Sequence, residues 1–586
     1  MSKKSKKITT KKIKKLSFKS ALTWLDEHIL LLLTGFLMAF IPLYPKIPLF
    51  DAVPGYIVRV RLEDIFVLLS AVIWLIQVIR KKIKWNTVMF WLIATYAAIG
   101  LLSVFSAAFL IRTIPLETIH LAKSFLHYFR YLEYFSLFII SFSAVRKKED
   151  VSKLITIFSL TVIAITLYGY GQKYYYWPVF STMNREFSKG MVLYLTEHAR
   201  VQSTFAGHYD LAAYLVIALN LLLAFAYKQK QNLKKAYFHL VHLLGLWLLI
   251  MTASRTSFIA YLFGAFTVIF LIALEQKNLK KKIIWGLKQF TLLLSIVIFM
   301  MFSFGADMAE RFMHVLEGYP QFVSAMNTVK TTQENVKKQT LIALGLKENE
   351  EGKLGQRPDN AISIDELERD VLTDTDERPT SKKPSDVYVD VPDPVKVATT
   401  AADGSTQIVI EQRERVWSDN ALKYGLSTAI RLDTLWPNAI NGFKKNPILG
   451  SGYATLNKES FYHFTEAEST DNNFLRILGE TGLFGLISFF SIIVIAIYLA
   501  YSFYKTDKTY TSTVSIGFIG ASMGLLLNAT YIDVFAASKV AFTYWSLSGI
   551  VMALFFLDKH QDTLKKIKWF HQLRNKFCPL KKRNKK

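Results

Sequence analysis

Residues Leu62–Lys84 read LEDIFVLLSAVIWLIQVIRKKIK, an apolar run at 62–79 closing on the basic cluster Arg80–Lys84. The run is long enough to cross roughly 30 Å of hydrocarbon as a helix, and a basic cluster of this kind stays on the cytoplasmic side. The same unit recurs along the chain. Apolar runs of spanning length lie at 28–45, 62–79, 87–109, 125–145, 152–171, 210–227, 236–253, 256–274, 284–304, 484–504, 513–533 and 538–557. The 586-residue chain, 52% apolar, therefore reads as an all-α polytopic membrane protein with about twelve transmembrane helices.

A formal net charge of +26 raises nucleic acid as a partner, but the distribution of that charge argues for topology instead. Basic clusters fall at Lys3–Lys19, Arg80–Lys84, Arg146–Lys148, Lys228–Lys235, Lys277–Lys288, Lys505–Lys508 and Lys559–Lys586, which are both ends of the chain and every second connection. With twelve crossings these share one side, so a multi-pass protein of the bacterial plasma membrane with both termini cytoplasmic is expected. The acidic excess of the segment before 480 then falls on the opposite side. The first apolar run lacks a small-residue cleavage pattern and reads as a retained helix. The single cysteine, Cys578, supports neither a disulfide framework nor a cysteine metal site.

The organisation follows: a basic segment at 1–27, helices one to nine at 28–304 with an outward loop at 172–209, a large outward loop at 305–483, three helices at 484–557 and a basic tail at 558–586. Within the large loop, 347–407 is poor in apolar residues and rich in Asp, Glu, Pro and Thr. It is expected to be mobile or loosely packed. Its TDTDE, Thr373–Glu377, resembles a metal-holding Asp-x-Asp but reads better as a solvated charge run. The flanks at 308–346 and 408–446 have amphipathic helical spacing. Neighbouring spans show no long internal repeat, which opposes transporter folds built from inverted repeats.

Polar residues gather at the outward ends of the spans in four stretches: ARVQSTFAGHYDLAAYL (199–215), MTASRTSF (251–258), RLDTLWPNAINGFKKNPILGSGY (431–453) and DNNFLRILGETGLFGL (471–486). The candidates they supply are Arg200, His208, Asp210, Arg255, Arg431, Asp471 and Asn472. An arginine at a span end commonly snorkels to headgroups, and Asp471 suits a helix N-cap. Three arginines from distant positions on the face where topology disfavours cations also suit a pyrophosphate, because guanidinium binds phosphate oxygens bidentately and stays charged. The glycines of GETGLFGL read as close helix packing. Arg130 and Glu133, one turn apart with His127 beside them, read as an internal ion pair.

These four stretches, in this order and with a long outward loop before the last spans, resemble the O-antigen ligase and O-antigen polymerase superfamily of bacterial membrane glycosyltransferases. The resemblance covers roughly 30–340 and 410–557 and leaves out 347–407. It implies a GT-C-like helical bundle acting in cell-surface polysaccharide or lipopolysaccharide biosynthesis, without cofactor or metal. The implied reaction transfers an undecaprenyl-pyrophosphate-linked glycan to an acceptor hydroxyl, on a glycan or lipid, at the outer face. By the same resemblance Arg200 and Arg431 engage the pyrophosphate and Asp471 assists the acceptor; Arg255, His208, Asn472 and Asp210 are supporting substrate-binding candidates. Ligases typically carry His-Asn where this chain has Asp471–Asn472, and Asp-Asn points toward a polymerase. Direct displacement implies inversion at the anomeric carbon. The competing class is a lipid-glycan flippase or secondary transporter, which places its ionisable groups near the bilayer midplane.

Overall fold

The computed structural model describes residues 18–53, 59–83, 87–182, 187–309, 417–456, 469–506 and 510–557, with only short pieces between 310 and 416. Twelve long helices dominate: α1 (Phe18–Leu43), α2 (Leu62–Ile79), α3 (Val88–Phe105), α4 (Thr118–Ala144), α5 (Lys148–Tyr175), α6 (His208–Lys228), α7 (Asn232–Met251), α8 (Arg255–Leu274), α9 (Leu279–Phe304), α10 (Asn473–Thr506), α11 (Tyr510–Asn528) and α12 (Ser538–Leu557). Eleven are long and apolar enough to cross a membrane; α4 is not among them. It has the length, but it carries Lys123, His127, Arg130 and Glu133. Tertiary placement accounts for that polarity, since α4 lines the cavity described below. The segment 529–533 proves non-helical, and α10 begins at Asn473, so it takes in the last residues expected in the large loop.

Helices α6 and α12 form the centre. From Leu211 to Ala226 every residue of α6 is buried, as expected of a helix apolar on all sides. It packs on α7, α8 and α11, while α12 packs on α4 and α10 packs on α3 and α11. Close approach at the α8–α11 crossing needs glycine: a Cβ on Gly264 would stand 2.6 Å from the Gly520 carbonyl, and one on Gly520 2.9 Å from that of Gly264. The periphery is α2 and α9, which expose Leu68, Ile79, Leu292 and Phe299.

Helix α10 is broken at Gly482, at φ 67° and ψ −167°, a conformation essentially confined to glycine. In an unbroken helix Leu483 and Phe484 would donate to the carbonyls of Gly479 and Glu480, four residues back. Here Leu483 donates to Pro447 (2.9 Å) and Phe484 to Ile448 (3.3 Å), while Gly479 and Glu480 accept from Ser451 (2.8 Å) and Gly452 (2.9 Å). The NPILGSG loop is thus spliced into the helix ladder. Thr113 donates to the Ser451 carbonyl (2.5 Å) and Ser103 to that of Glu480 (2.8 Å), backing the splice from α3 and the turn after it. Of the glycines of GETGLFGL, Gly479 packs close on the short helix Trp436–Lys445, where a Cβ would stand 2.7 Å from the Ala439 carbonyl, as expected of close helix packing, whereas Gly482 serves the loop instead.

Short parts of the 347–407 segment are described. Lys353 is buried, and its Nζ donates to the carbonyls of Gln172 (3.0 Å) and Lys173 (3.1 Å) at the end of α5. The amides of Leu354 and Gly355 donate to Tyr174. The last carbonyls of any helix need outside donors, and this segment provides them. Ile362–Ser363 pairs with Leu193–Tyr194, and Asp393–Thr400 with Thr406–Arg413 as an antiparallel hairpin. The second of these strands replaces the helix expected from 408 onward; helices resume at Asp419–Tyr424, Leu426–Ile430 and, beyond a π-turn at Arg431–Leu435, Trp436–Lys445. Thr373–Glu377, Cys578 and the basic segments 1–17 and 558–586 lie outside the described residues.

Each residue of the DNN triplet has its own local role. Asn472, not Asp471, caps α10: its side-chain oxygen accepts from the Leu475 amide at 3.0 Å. Asn473 accepts from the Phe535 amide at 2.8 Å. Asn472→Ala is expected to cost about 1 kcal/mol, read as a lowered melting temperature of the purified protein.

Candidate active site

Five cations from four separate stretches, Lys46, Arg59, Arg61, Arg130 and Arg476, line one cavity of about 400 Å³. Asp210 is the carboxylate on its wall, and His127, Tyr131, Tyr134, Thr182, Ser188, Ser469 and Ser538 add polar groups. Four helices begin here. Arg61 immediately precedes α2, Asp210 lies in the first turn of α6, Arg476 in that of α10, and Ser538 opens α12. Each helix start carries partial positive charge from unsatisfied amides, so four dipoles add to the five side chains. The cavity faces the ends of the bundle opposite the basic connections. At that other end Asp26 of α1 holds Arg80 (2.6 Å) and Lys82.

Most of the cations are held by carboxylates. Lys46 Nζ is 2.5 Å from Glu63 and 2.5 Å from Ser538 Oγ. Burial pushes its ammonium below the usual lysine range while Glu63 pulls it back, so as pH rises Lys46 gives up its proton before an exposed lysine would. Arg59 pairs with Asp51 (2.7 Å). Arg130 bridges Asp64 (2.6 Å) and Glu133 (2.7 Å), so the expected pair is present and has a second acid from α2. Arg476 holds Asp533 (3.0 Å). Arg61 differs: no carboxylate among the described residues pairs with it, and its Nε is buried without a hydrogen-bond partner.

The cavity leads to Asp471 through a short polar chain. Asp533 accepts from the amides of Thr470 (2.8 Å) and Asn472 (3.0 Å) as well as from Arg476, fixing the turn before α10. Ser469 Oγ, on the cavity wall, lies 2.9 Å from Asp533 and 2.7 Å from Asp471. The other oxygen of Asp471 meets Arg431 at 2.8 Å. Arg431 is anchored by the carbonyl and hydroxyl of Ser427 (2.5 and 2.8 Å) and lies 4.1 Å over the Tyr531 ring. Asp471 has φ 51°, a left-handed conformation that Asp tolerates better than most residues.

Of the seven sequence candidates, the structure joins Arg431 to Asp471 and sets Asp210 in the cavity wall. Arg200 forms a separate cluster, with Nη1 at 2.5 Å from His208 Nε2 and 3.0 Å from the Tyr209 hydroxyl. His208 and Asp210 are two residues apart, about 200° around the helix, and so face different ways. Arg255 opens α8, and neither Arg200, Arg255 nor Arg431 lines the cavity. Sequence reasoning passed over Lys46, Arg59, Arg61 and Arg476. The signal was present: these cations also sit at outward span ends, where topology gives them no purpose.

Residues 412–490 match the family model described as O-antigen ligase. The match takes in Arg431, the spliced loop, Asp471, Arg476 and Gly482. No curated protein matches the chain significantly.

Proposed function

Because residues 412–490 match the family model described as O-antigen ligase, we propose that the chain belongs to the O-antigen ligase and polymerase superfamily and is a membrane glycosyltransferase acting on an undecaprenyl-pyrophosphate-linked glycan at the outer face of the plasma membrane. The observation that carries the reading is the convergence of five cations and four helix starts on one cavity whose wall connects, through Ser469, to Asp471. The pyrophosphate of the donor occupies the cavity. As the bond between the anomeric carbon and the phosphate oxygen breaks, that oxygen gains charge, and fixed guanidinium groups and amide dipoles stabilise it without reorganising. The acceptor hydroxyl attacks from the opposite face of the sugar, inverting the anomeric carbon. Its proton passes to Asp471, late in the step because a sugar hydroxyl is a weak acid. Arg431 is a positioning residue that aims this carboxylate through their 2.8 Å contact. Fixed cations do the work of a divalent ion, so the reading includes no metal.

The basic connections at the far end of the bundle support a cytoplasmic location for that end, and hence an outward cavity. Aspartate at 471 supports polymerase over ligase. The test uses purified full-length protein with undecaprenyl-pyrophosphate oligosaccharide. Asp471→Asn is expected to lower donor consumption by at least about 100-fold, and the wild type to yield a ladder of lengthened glycans. A single capped product would make it a ligase. Equal turnover in Asp471→Asn and wild type would falsify the role of the carboxylate. Lipid moved across the bilayer uncleaved would make the protein a flippase.

A further inference from the structure

The segment between α1 and α2 has two chemically opposite sides. Lys46, Arg59 and Arg61 turn into the cavity, whereas Leu49 and Phe50 are 48% and 59% exposed. Strand geometry explains the division for Phe50, while Leu49 sits at a bulge between Pro48 and Phe50, outside the regular pairing. Pro48–Asp51 (β1) pairs with Arg59–Arg61 (β2) as an antiparallel hairpin. Arg59 and Arg61, two residues apart, share one side of β2, and Val60 between them points to the other. Phe50 is the partner of Val60 and shares its side. The hairpin is also fixed in place: Lys46 is tied to Glu63, Arg59 to Asp51, and Pro48 packs on Gly190, where a Cβ would stand 3.0 Å from the proline ring. An exposed Phe and Leu on a short, anchored hairpin need an apolar contact. The apolar side runs on into α2, whose Ile65 and Leu68 are exposed as well.

A cavity that holds the pyrophosphate of a lipid must let the lipid chain out to the bilayer. The hairpin puts cations on one side and uncovered apolar side chains on the other, a single strand thickness apart. We propose that the outer side of the β1–β2 hairpin, centred on Leu49 and Phe50, is the docking surface for the polyisoprenoid chain of the donor, whose pyrophosphate Arg59 and Arg61 hold on the inner side. This assignment rests on the reading of the cavity as a lipid-pyrophosphate site. Chain length of the lipid is then recognised outside the cavity, by surface rather than by an enclosed tunnel.

The test compares undecaprenyl pyrophosphate with geranyl pyrophosphate, which carries the same headgroup on a short chain. Binding of each to the full chain in nanodiscs is measured for wild type and for a Leu49→Ser, Phe50→Ser double variant. The double variant is expected to bind undecaprenyl pyrophosphate about tenfold more weakly and geranyl pyrophosphate as tightly as wild type. Arg59→Gln is expected to weaken both ligands alike. An equal loss for both ligands in the double variant would overturn the proposal, because the hairpin would then only shape the cavity. No loss for either would overturn it too, the apolar side meeting bilayer lipid alone. Turnover is followed separately. A wild type that shows the chain-length effect in binding yet transfers no glycan would sink the glycosyltransferase reading and leave the hairpin assignment standing.

Discussion

With Arg61 replaced by methionine, glycan transfer falls about 10²–10³-fold while the protein melts as the wild type does. The two halves of that expectation come from different features of the site. Loss of transfer follows because a fixed donor aimed at developing charge is worth far more in an enclosed cavity than in water. Retention of stability follows because the Arg61 side chain forms no ion pair among the described residues, so removing its charge breaks none, and Asp210 keeps Lys46 and Lys539 as nearby cations. Arg476 provides the contrast. Its replacement by methionine abandons Asp533 and Glu480, both buried, and breaking a buried pair costs about 3–5 kcal/mol. Arg476→Met is therefore expected to lose activity through the fold, and Arg61→Met through the chemistry. Arg61→Lys keeps the charge but loses the planar fork, and should recover only part of the rate. Thermal melts and donor consumption on the three variants decide the matter. A melting temperature in Arg61→Met as low as in Arg476→Met would make Arg61 part of the scaffold, and unaltered turnover would remove it from the site.

Gly482→Ala is expected to abolish the folded protein. Two independent costs coincide there. The backbone sits at φ 67°, ψ −167°, a region that costs a non-glycine residue about 1–3 kcal/mol. In addition, the new Cβ would stand 2.4 Å from both the carbonyl carbon and oxygen of Ile448. Backbone cannot yield as a flexible side chain does, so the NPILGSG loop must leave the helix, and four hydrogen bonds between loop and helix go with it. With them goes the geometry that delivers Asp471 and Arg476 from the first segment of α10. The matched control is Gly286→Ala on α9, where the added methyl meets only Ala273 at 3.4 Å. Size-exclusion profiles in detergent should show the control monodisperse and Gly482→Ala aggregated or missing. A monodisperse, fully active Gly482→Ala would mean that the splice is not structural.

The helices were legible because hydropathy is a local property: the run at 62–79 and the run at 538–557 coincide with α2 and α12 to the residue. Failures arose where a neighbour decides. Residues 529–533 are apolar enough to extend α11, but Asp533 is drawn off to organise the turn before α10. The polarity of DNN was legible, yet assigning the cap to Asp471 instead of Asn472 missed by one position, because φ at Asp471 cannot be read from the letters. In the site, outward arginines were the right kind of signal, but convergence is tertiary. Nothing in the sequence says that the end of α1, the start of α2, the middle of α4 and the start of α10 surround one space.

The polarity of α4 bears on how the protein is made. Its main neighbour is α12: Tyr134 donates to the Ala536 carbonyl at 3.0 Å, and Ser141 meets Ser546 at 2.7 Å. Those serines are 405 residues apart, which at ribosomal speed is roughly 20–80 s of synthesis. Throughout that interval α4 must stay in or beside the bilayer with a lysine, an arginine, a glutamate and two histidines on it and its largest contact surface empty. Asp64 of α2 is already in place to neutralise Arg130 when α4 emerges, whereas the hydroxyl partner on α12 and the carbonyl partner just before it arrive last. Membrane insertion is therefore expected to proceed in two stages, an early charge-paired α2–α4 unit and a late closure by the final helix that also completes the cavity.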